Sequence, residues 1–196
     1  MSKYKVDDIR NIALCGHGGC GKTTLADKLL VKTGAVTSDP SVDAGTSICD
    51  FDPEEKLHKR TIESSVVHFE HAGKRFNVID TPGYADFIGQ TIGALRGVDT
   101  AVIVINAHSG IEVNTRRVFK EAEKAGVGRI IVINKMDEHN IDFPALIERI
   151  RDTFGNRCVL FNVPQGHGGE FKGVVSTLQP PGSAAGALVD PAEIHT

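Results

Sequence analysis

The stretch GHGGCGKT, Gly16–Thr23, has the spacing G-x-x-x-x-G-K-[ST] of a phosphate-binding loop. The apolar run Ile12–Cys15 before it predicts a buried strand, and the pattern of Lys22–Lys32 predicts a helix after it. Glycines allow consecutive backbone N–H groups to wrap phosphate oxygens, and a helix N-terminus favours an anion. We therefore predict that a nucleotide phosphate binds to Gly16, His17, Gly18, Gly19, Cys20, Gly21, Lys22, Thr23 and Thr24.

Two side chains in this loop have expected roles of their own. Lys22 would bridge the β- and γ-phosphates, and the Thr23 hydroxyl would bind Mg²⁺. The alternative is a glycine-rich turn that matches by chance, which the flanking strand and helix make less attractive.

In the rest of the chain, apolar runs alternate with helical patterns, which is typical of an α/β sheet with its ligand site beyond the carboxyl ends of the strands. Further buried strands are predicted at Phe76–Ile79, Ala101–Ile105, Ile130–Ile133 and, with a weaker pattern, Val159–Val163. Further helices are predicted at Ala85–Leu95, Thr115–Ala125 and Phe143–Phe154.

Three segments depart from this alternation. Thr61–Phe69 is β-prone and is joined through His71–Lys74 to the next strand, which predicts one antiparallel edge strand. Residues 35–60 have no regular pattern, as is common in functional or mobile loops. The tail from Gln179 is rich in turn formers and predicts a loop or a frayed end.

Asp80-Thr-Pro-Gly83 follows the predicted strand Phe76–Ile79. A carboxylate placed there can hold Mg²⁺, and the N–H of Gly83 can meet the γ-phosphate. Such a turn is common in any loop. The proposed contacts with Mg²⁺ and phosphate therefore depend on its position, after the phosphate loop and a hairpin.

Asn134-Lys-Met-Asp137 ends the strand Ile130–Ile133. A carboxylate can accept from both the ring N–H and the exocyclic amine of guanine, whereas adenine offers no such donor pair. Asp137 is thus expected to read the base, Asn134 to brace the phosphate loop, and the stem of Lys135 to cover the base.

Bulk composition excludes several classes of protein. With 196 residues, 40% hydrophobic and 24% charged, the chain predicts one globular domain with no membrane-spanning segment. A formal net charge of −3 argues against direct DNA binding. The four cysteines form no C-x-x-C pair, which favours reduced thiols. The polar start MSKYKVDDIR leads us to expect a cytoplasmic location. We also expect a monomer.

These motifs together resemble a translational GTPase, most closely the elongation factor G family with its divergent elongation-factor-G-like members. The similarity also runs through TIESS, DTPGYADF, NAHSGIEVNTRRVFKEAEKAGV, INKMD and VPQGHGGEFKGVV, and it covers Asn11–Val175. The resemblance implies a P-loop NTPase fold, a mostly parallel sheet with one antiparallel edge strand and helices on both faces. It also implies GTP or GDP with Mg²⁺, and the ribosome as partner of a full-length protein.

By the same resemblance, Thr61 occupies the switch-one threonine position, so the expected metal-binding residues are Thr23, Thr61 and Asp80. The expected catalytic residues are Lys22, Thr61, Gly83 and Tyr84.

The chain departs from the family pattern at several positions. Gly19 replaces an aspartate, and Lys59 and Arg60 replace a glycine and an apolar residue. Tyr84 replaces a histidine that positions or activates water; a phenol is no base at neutral pH, although its hydroxyl can orient water, so we expect slow intrinsic hydrolysis.

The resemblance implies a serine-alanine motif that completes the guanine pocket, and we recognise no such motif after the last predicted strand. GEFKGVV looks like the opening of an inserted subdomain. We therefore expect a GTP-binding core at residues 1–163 and the start of that subdomain, truncated and partly disordered, at 164–196. Because part of the guanine pocket is missing, we expect this 196-residue chain to bind nucleotide weakly.

Two other functions remain open at this point. Tyr84 makes a nucleotide-dependent binding module with little hydrolysis credible. HGGCGKTT also suggests a deviant P-loop ATPase, but His17 stands where that family needs a lysine, and Asp137 predicts guanine.

Overall fold

The protein is described from a computed structural model in which residues 4–178 and Ala187 are placed. The predicted loop from Gln179 onward therefore lies outside the described residues, apart from Ala187. The chain divides into two compact units, which are treated separately below: the first is Met1–Ile105 with Glu112–Val132, and the second is Asn106–Ile111 with Ile133–Thr196.

A five-stranded sheet with strand order β2-β3-β1-β4-β5 organises the fold. Strand β1 is parallel to both β3 and β4, and β2 is antiparallel to β3 at the edge. The fold is therefore the predicted α/β P-loop fold with a mostly parallel sheet. The strands are β1 Ile9–Gly16, β2 Ser65–His71, β3 Lys74–Asp80, β4 Thr100–Asn106 and β5 Gly128–Asn134.

Helices cover both faces of this sheet. Successive side chains of a buried strand point to opposite faces, so both faces carry apolar side chains that must be buried. On one face Leu14 packs with residues of α1 (Lys22–Lys32), among them Ala26 and Leu30. On the other face Ala13 and Cys15 pack with Leu95 of α3 (Ile88–Leu95) and Val118 of α4 (Val113–Ala125). This two-sided burial explains why the segments Ile12–Cys15 of β1 and Ala101–Ile105 of β4 are continuous apolar runs.

The edge hairpin was predicted correctly, but its first strand is shorter than expected. Ala72 and Gly73 both have positive φ, 48° and 74°, as a two-residue turn matched to the strand twist requires. Strand β2 begins at Ser65, and Thr61–Ser64 is not part of it. The N–H groups of Ile62 and Glu63 instead donate to the carboxylate of Glu55, so they are not free for a strand partner.

The helix predictions at Lys22–Lys32 and Phe143–Phe154 are confirmed residue for residue. Helix α4 begins at Val113, two residues before the predicted start. The pattern Ala85–Leu95 is divided into a 3-10 turn, Ala85–Phe87, and helix α3.

The prediction that residues 35–60 lack regular structure is wrong at one place, where helix α2 covers Pro53–His58. Asp52 is its N-cap, and its side chain accepts from the N–H of Glu54 at 2.7 Å. Glu55 completes a capping box, and Pro53 starts the helix. The sequence DPEE carried this signal, but six residues are too few to show a helical period.

The second unit contains α5, Phe143–Phe154, and a hairpin of β6, Asn162–Gln165, with β7, Gly173–Ser176. The predicted strand Val159–Val163 is therefore shifted and pairs outside the five-stranded sheet, and Val159 and Phe161 are exposed. The division we predict at residue 163 stays a prediction; β6 has residues on both sides of it. Over the described part of the chain, no helix is both long and apolar enough to cross a membrane.

Candidate functional site

The phosphate loop lies between β1 and α1, as predicted. Its backbone uses the freedom of glycine at Gly16, Gly19 and Gly21, with φ of 143°, 76° and 93°. The Lys22 side chain is buried, and its ammonium donates to the carbonyl oxygens of Gly16 at 3.3 Å and His17 at 2.9 Å. The loop therefore holds the Lys22 ammonium inside the curve of its backbone, where a phosphate would contact it.

The turn after β3 lies directly against this loop. A Cβ added to Gly83 would come within 2.5 Å of the Lys22 Nζ and 2.6 Å of the Gly18 nitrogen, so only glycine fits there. The carbonyl oxygen of Gly83 accepts from the side-chain amide of Asn114 at 2.8 Å. Gly83 is thus held beside the Lys22 ammonium and the Gly18 N–H, which are the groups that we expect at the terminal phosphate.

Next to Lys22, two hydroxyls and two carboxylates form a chain of hydrogen bonds. The Thr23 hydroxyl donates to Asp80 Oδ2 at 2.6 Å, and the Thr61 hydroxyl donates to Asp50 Oδ1 at 3.0 Å. The two hydroxyl oxygens lie 2.9 Å apart. Either hydroxyl can be the donor of this third hydrogen bond, and each hydroxyl oxygen keeps lone pairs with which it could bind a cation.

This arrangement fits a magnesium ion. Neighbouring ligands of an octahedral Mg²⁺, each at about 2.0–2.1 Å, lie about 2.9 Å apart, which is the separation of the two hydroxyl oxygens. Asp80 is fully buried, and within the described residues its Oδ1 has no hydrogen-bond partner. Two hydroxyl oxygens and one carboxylate oxygen are therefore available to a hard cation.

The electrostatics of Asp80 point the same way. Burial raises the pKa of the Asp80 carboxyl to about 7, although the hydrogen bond from Thr23 and the charge of Lys22 lower it. The charged form is therefore costly without a cation. A divalent ion at this place would favour that form.

Tyr84 covers the phosphate loop with its ring. A Cβ on Gly18 would lie 2.9 Å from the ring carbon that bears the hydroxyl, so Gly18 makes room for the tyrosine. On the ring lies the guanidinium of Arg60, with 5.0 Å between Arg60 Cζ and the ring centroid. Tyr84 and Arg60, two departures from the family pattern, are thus in contact.

The other side chains of the phosphate loop lie away from this cluster of hydroxyls and carboxylates. His17 Nε2 lies 3.4 Å from Glu112 Oε1, and Thr24 is exposed on the first turn of α1. Cys20 is buried, and burial raises the pKa of its thiol even though the charge of Lys22 lowers it. Cys20 belongs to the buried apolar cluster that also contains Leu14 and Ala26.

The motif Asn134–Asp137 lies at the end of β5 and in the second unit. The carbonyl oxygen of Asn134 accepts from the N–H of Ala107 at 2.8 Å. Lys135 has a left-handed backbone, with φ of 61°, and its Nζ is 3.3 Å from Glu138 Oε1. The side chain of Asp137 is exposed, so its carboxylate is open to a ligand.

Sequence reasoning missed three residues in the first unit. Asp50 holds the Thr61 hydroxyl, Glu55 accepts from backbone N–H groups on both sides of α2, and Asn114 holds Gly83. Only Glu55 had a local signal, the capping box. Asp50 and Asn114 have partners 11 and 31 residues away, so no short pattern could reveal them.

Comparisons with known proteins identify the family to which the chain is similar. The family model described as "Elongation factor Tu GTP binding domain" matches residues 7–185. The chain is 36% identical over 160 residues to an elongation factor G-like protein of Mycobacterium tuberculosis, covering 82% of this chain and 22% of that protein. It is 39% identical over 171 residues to bovine mitochondrial ribosome-releasing factor 2, covering 87% of this chain and 22% of the relative.

A solved structure gives the same result. A crystal structure of a Thermus thermophilus protein superposes with a TM-score of 0.81 at 39% identity, covering 86% of this chain and 25% of that one. The chain therefore spans about a quarter or less of the length of each of these relatives.

Proposed function

The chain belongs to the family of elongation factor Tu GTP-binding domains, and on this premise we propose that it is a switch domain that binds GTP or GDP with Mg²⁺ and hydrolyses GTP. The observation that carries the proposal is the cluster of Thr23, Thr61 and Asp80. It joins the phosphate loop, the first switch segment (residues 50–63) and the second switch segment (residues 80–84) through bonds of 2.6 and 2.9 Å.

The proposed roles follow from the geometry. Lys22 and the N–H groups of the loop bind the phosphates, and Thr23, Thr61 and Asp80 hold the metal ion, which neutralises charge on the phosphate oxygens when bound. Gly83, fixed by Asn114, presents its N–H to the terminal phosphate. Loss of that phosphate then removes the ligand that ties both switch segments to the loop.

Guanine specificity is proposed for Asn134, Lys135 and Asp137. The exposed carboxylate of Asp137 supports this role, since it is open to the donor pair of guanine. Residues 1–163 would form the GTP-binding domain, and the segment from 164 would begin an inserted subdomain.

Tyr84 is proposed to orient the attacking water with its hydroxyl, without acting as a base. Its ring on Gly18, beside Gly83, supports a position near the terminal phosphate. Slow intrinsic turnover is the expected result. This same residue favours the second candidate function, a nucleotide-dependent binding module with negligible hydrolysis.

The proposed partner is the ribosome, on which the chain would act in the cytoplasm as the GTPase domain of an elongation-factor-G-like translation factor. The name of the bovine relative, ribosome-releasing factor 2, supports this partner. Phosphate release with and without ribosomes separates the two candidate functions. Turnover near zero in both conditions would favour the binding module.

The test of the switch itself compares Thr61→Ala with Thr37→Ala, an exposed threonine outside the cluster. Affinities for GDP and for a non-hydrolysable GTP analogue are measured with and without Mg²⁺. We expect Thr61→Ala to weaken binding of the analogue about tenfold, only with Mg²⁺, and to leave GDP binding unchanged. Equal behaviour of the two variants would contradict the proposed metal site.

A further inference from the structure

The carboxylate of Glu55 is fully buried and accepts four backbone hydrogen bonds. Its Oε2 accepts from the N–H groups of Phe51 and Asp52, both at 3.1 Å. Its Oε1 accepts from those of Ile62 at 2.8 Å and Glu63 at 3.0 Å. One side chain therefore holds both ends of the first switch segment.

Only part of this pattern is needed to cap a helix. In a capping box the glutamate bonds the N–H of the N-cap residue, which here is the bond from Asp52 to Oε2. The bonds from Ile62 and Glu63 to Oε1 add nothing to that cap, because these residues follow the helix and its turn. Glu55 thus has a second task, directed at the chain beyond α2.

That task concerns Thr61. The carbonyl of Thr61 and the N–H of Ile62 belong to one planar peptide unit, so the bond from Ile62 to Glu55 fixes the direction of the Thr61 carbonyl. The Thr61 side chain is fixed as well, by its bond to Asp50. Asp50 in turn directly precedes Phe51, the first donor to Oε2.

The turn between α2 and Thr61 is tied to the same residue through the main chain. The N–H groups of Lys59 and Arg60 both donate to the carbonyl oxygen of Glu55. Lys59 has the left-handed conformation that ends the helix, with φ of 52°. Residues 50–63 therefore form a closed set of bonds centred on Glu55.

We propose that Glu55 is a positioning residue that makes the first switch segment move as one folded unit and so holds Thr61 ready for the terminal phosphate and the metal ion of GTP. This inference rests on the proposed function. A segment already folded loses less conformational entropy when the triphosphate binds. Glu55 touches neither phosphate nor metal and acts through Thr61.

Glu55→Gln tests the proposal, because an amide of the same shape has one acceptor oxygen and presents its NH₂ to two backbone donors. If the folded segment then falls to about a tenth of the population, the affinity for a non-hydrolysable GTP analogue falls about tenfold. Affinity for GDP, which lacks the terminal phosphate, stays the same. The measured quantity is the ratio of the two affinities in Mg²⁺.

Asp52→Ala is the matched control. It removes the bond from the Glu54 N–H and so weakens the cap of α2, but it leaves the Glu55 carboxylate intact. We expect its affinity ratio to match that of the wild type. The proposal is overturned if Glu55→Gln leaves the ratio unchanged, or if Asp52→Ala lowers it as much.

Amide hydrogen exchange in the wild-type chain gives an independent test if Glu55→Gln fails to fold. The four N–H groups that meet the carboxylate should exchange at one common, protected rate, since they open together. Protection of Phe51 and Asp52 with free exchange at Ile62 and Glu63 would overturn the proposal. A wild type that binds no guanine nucleotide would refute the proposed function alone, because the exchange test needs no ligand.

Discussion

The phosphate loop and the first switch segment face the same cluster of hydroxyls, but they are held in different ways. The loop is shaped by glycines with positive φ, and its lysine donates to backbone carbonyls five and six residues earlier in the same loop. The switch segment is shaped by the buried carboxylates of Asp50 and Glu55. Backbone geometry gives a fixed cradle, whereas side-chain bonds can be broken and remade, which suits a segment that must respond to the ligand.

The largest expected loss of stability is caused by a substitution in the phosphate loop. Gly16 has φ of 143°, and a Cβ there would overlap the carbonyl oxygen of Val104. Gly16→Ala should therefore reduce the free energy of unfolding by about 3–4 kcal/mol, because strain and overlap add. Urea denaturation followed by circular dichroism measures this loss.

Gly19→Ala is the control for that substitution. Gly19 also has a positive φ, 76°, but a Cβ there would meet nothing within 4 Å. It should lose only about 1 kcal/mol. Equal losses in the two variants would mean that the close contact with β4 does not shape the loop.

The second effect concerns Asp80, which accepts a hydrogen bond from Thr23 of the phosphate loop. Its pKa is raised to about 7 by burial, so between about pH 4 and 7 the folded chain keeps a proton that the unfolded chain releases. Stability without metal should therefore fall as the pH rises through this window, and Asp80→Asn should remove that fall. Because one pKa unit corresponds to about 1.4 kcal/mol, the expected gain for the variant is about 4 kcal/mol at pH 8 and near zero at pH 4.

Denaturation in a chelator at both pH values measures this gain. Adding Mg²⁺ at pH 8 should then stabilise the wild type and leave Asp80→Asn unchanged. A variant that is less stable than the wild type at pH 8 without metal would contradict the assignment of a costly buried charge.

The smallest effect sharpens the role of Tyr84, which lies between the two regions on Gly18 and under Arg60. Tyr84→His introduces a side chain that can accept a proton, so single-turnover GTP hydrolysis should rise about tenfold. Tyr84→Phe keeps the ring and removes the hydroxyl, and it should be slower than the wild type. If Tyr84→Phe hydrolyses GTP at the wild-type rate, the hydroxyl does not orient water.

The contrast between a loop shaped by its own glycines and a segment held by side-chain bonds also explains what could be predicted from the sequence. Helix α1 and the loop were predicted residue by residue, because they depend on glycine spacing and on an apolar period that a short window contains. Helix α2 was missed, since its six residues are too few to show a helical period, although DPEE carried the signal of a capping box. The weak strand near Val159 was misplaced because its pairing with β7 is not visible in its own residues.

Within the site, the residues named by motif were predicted, and those that hold them in place were not. Thr23, Thr61 and Asp80 come together as expected from three separate motifs. Asp50 and Asn114 support them from distant positions, so only the folded chain brings these partners together.

The most direct test of the account is a competition experiment in which GTP and ATP displace fluorescent GDP from the chain in the presence of Mg²⁺. With Asp137 reading the base, GTP should displace the probe at concentrations at least about a hundredfold lower than ATP. Displacement by ATP at equal or lower concentration would contradict the assignment of a guanine nucleotide switch.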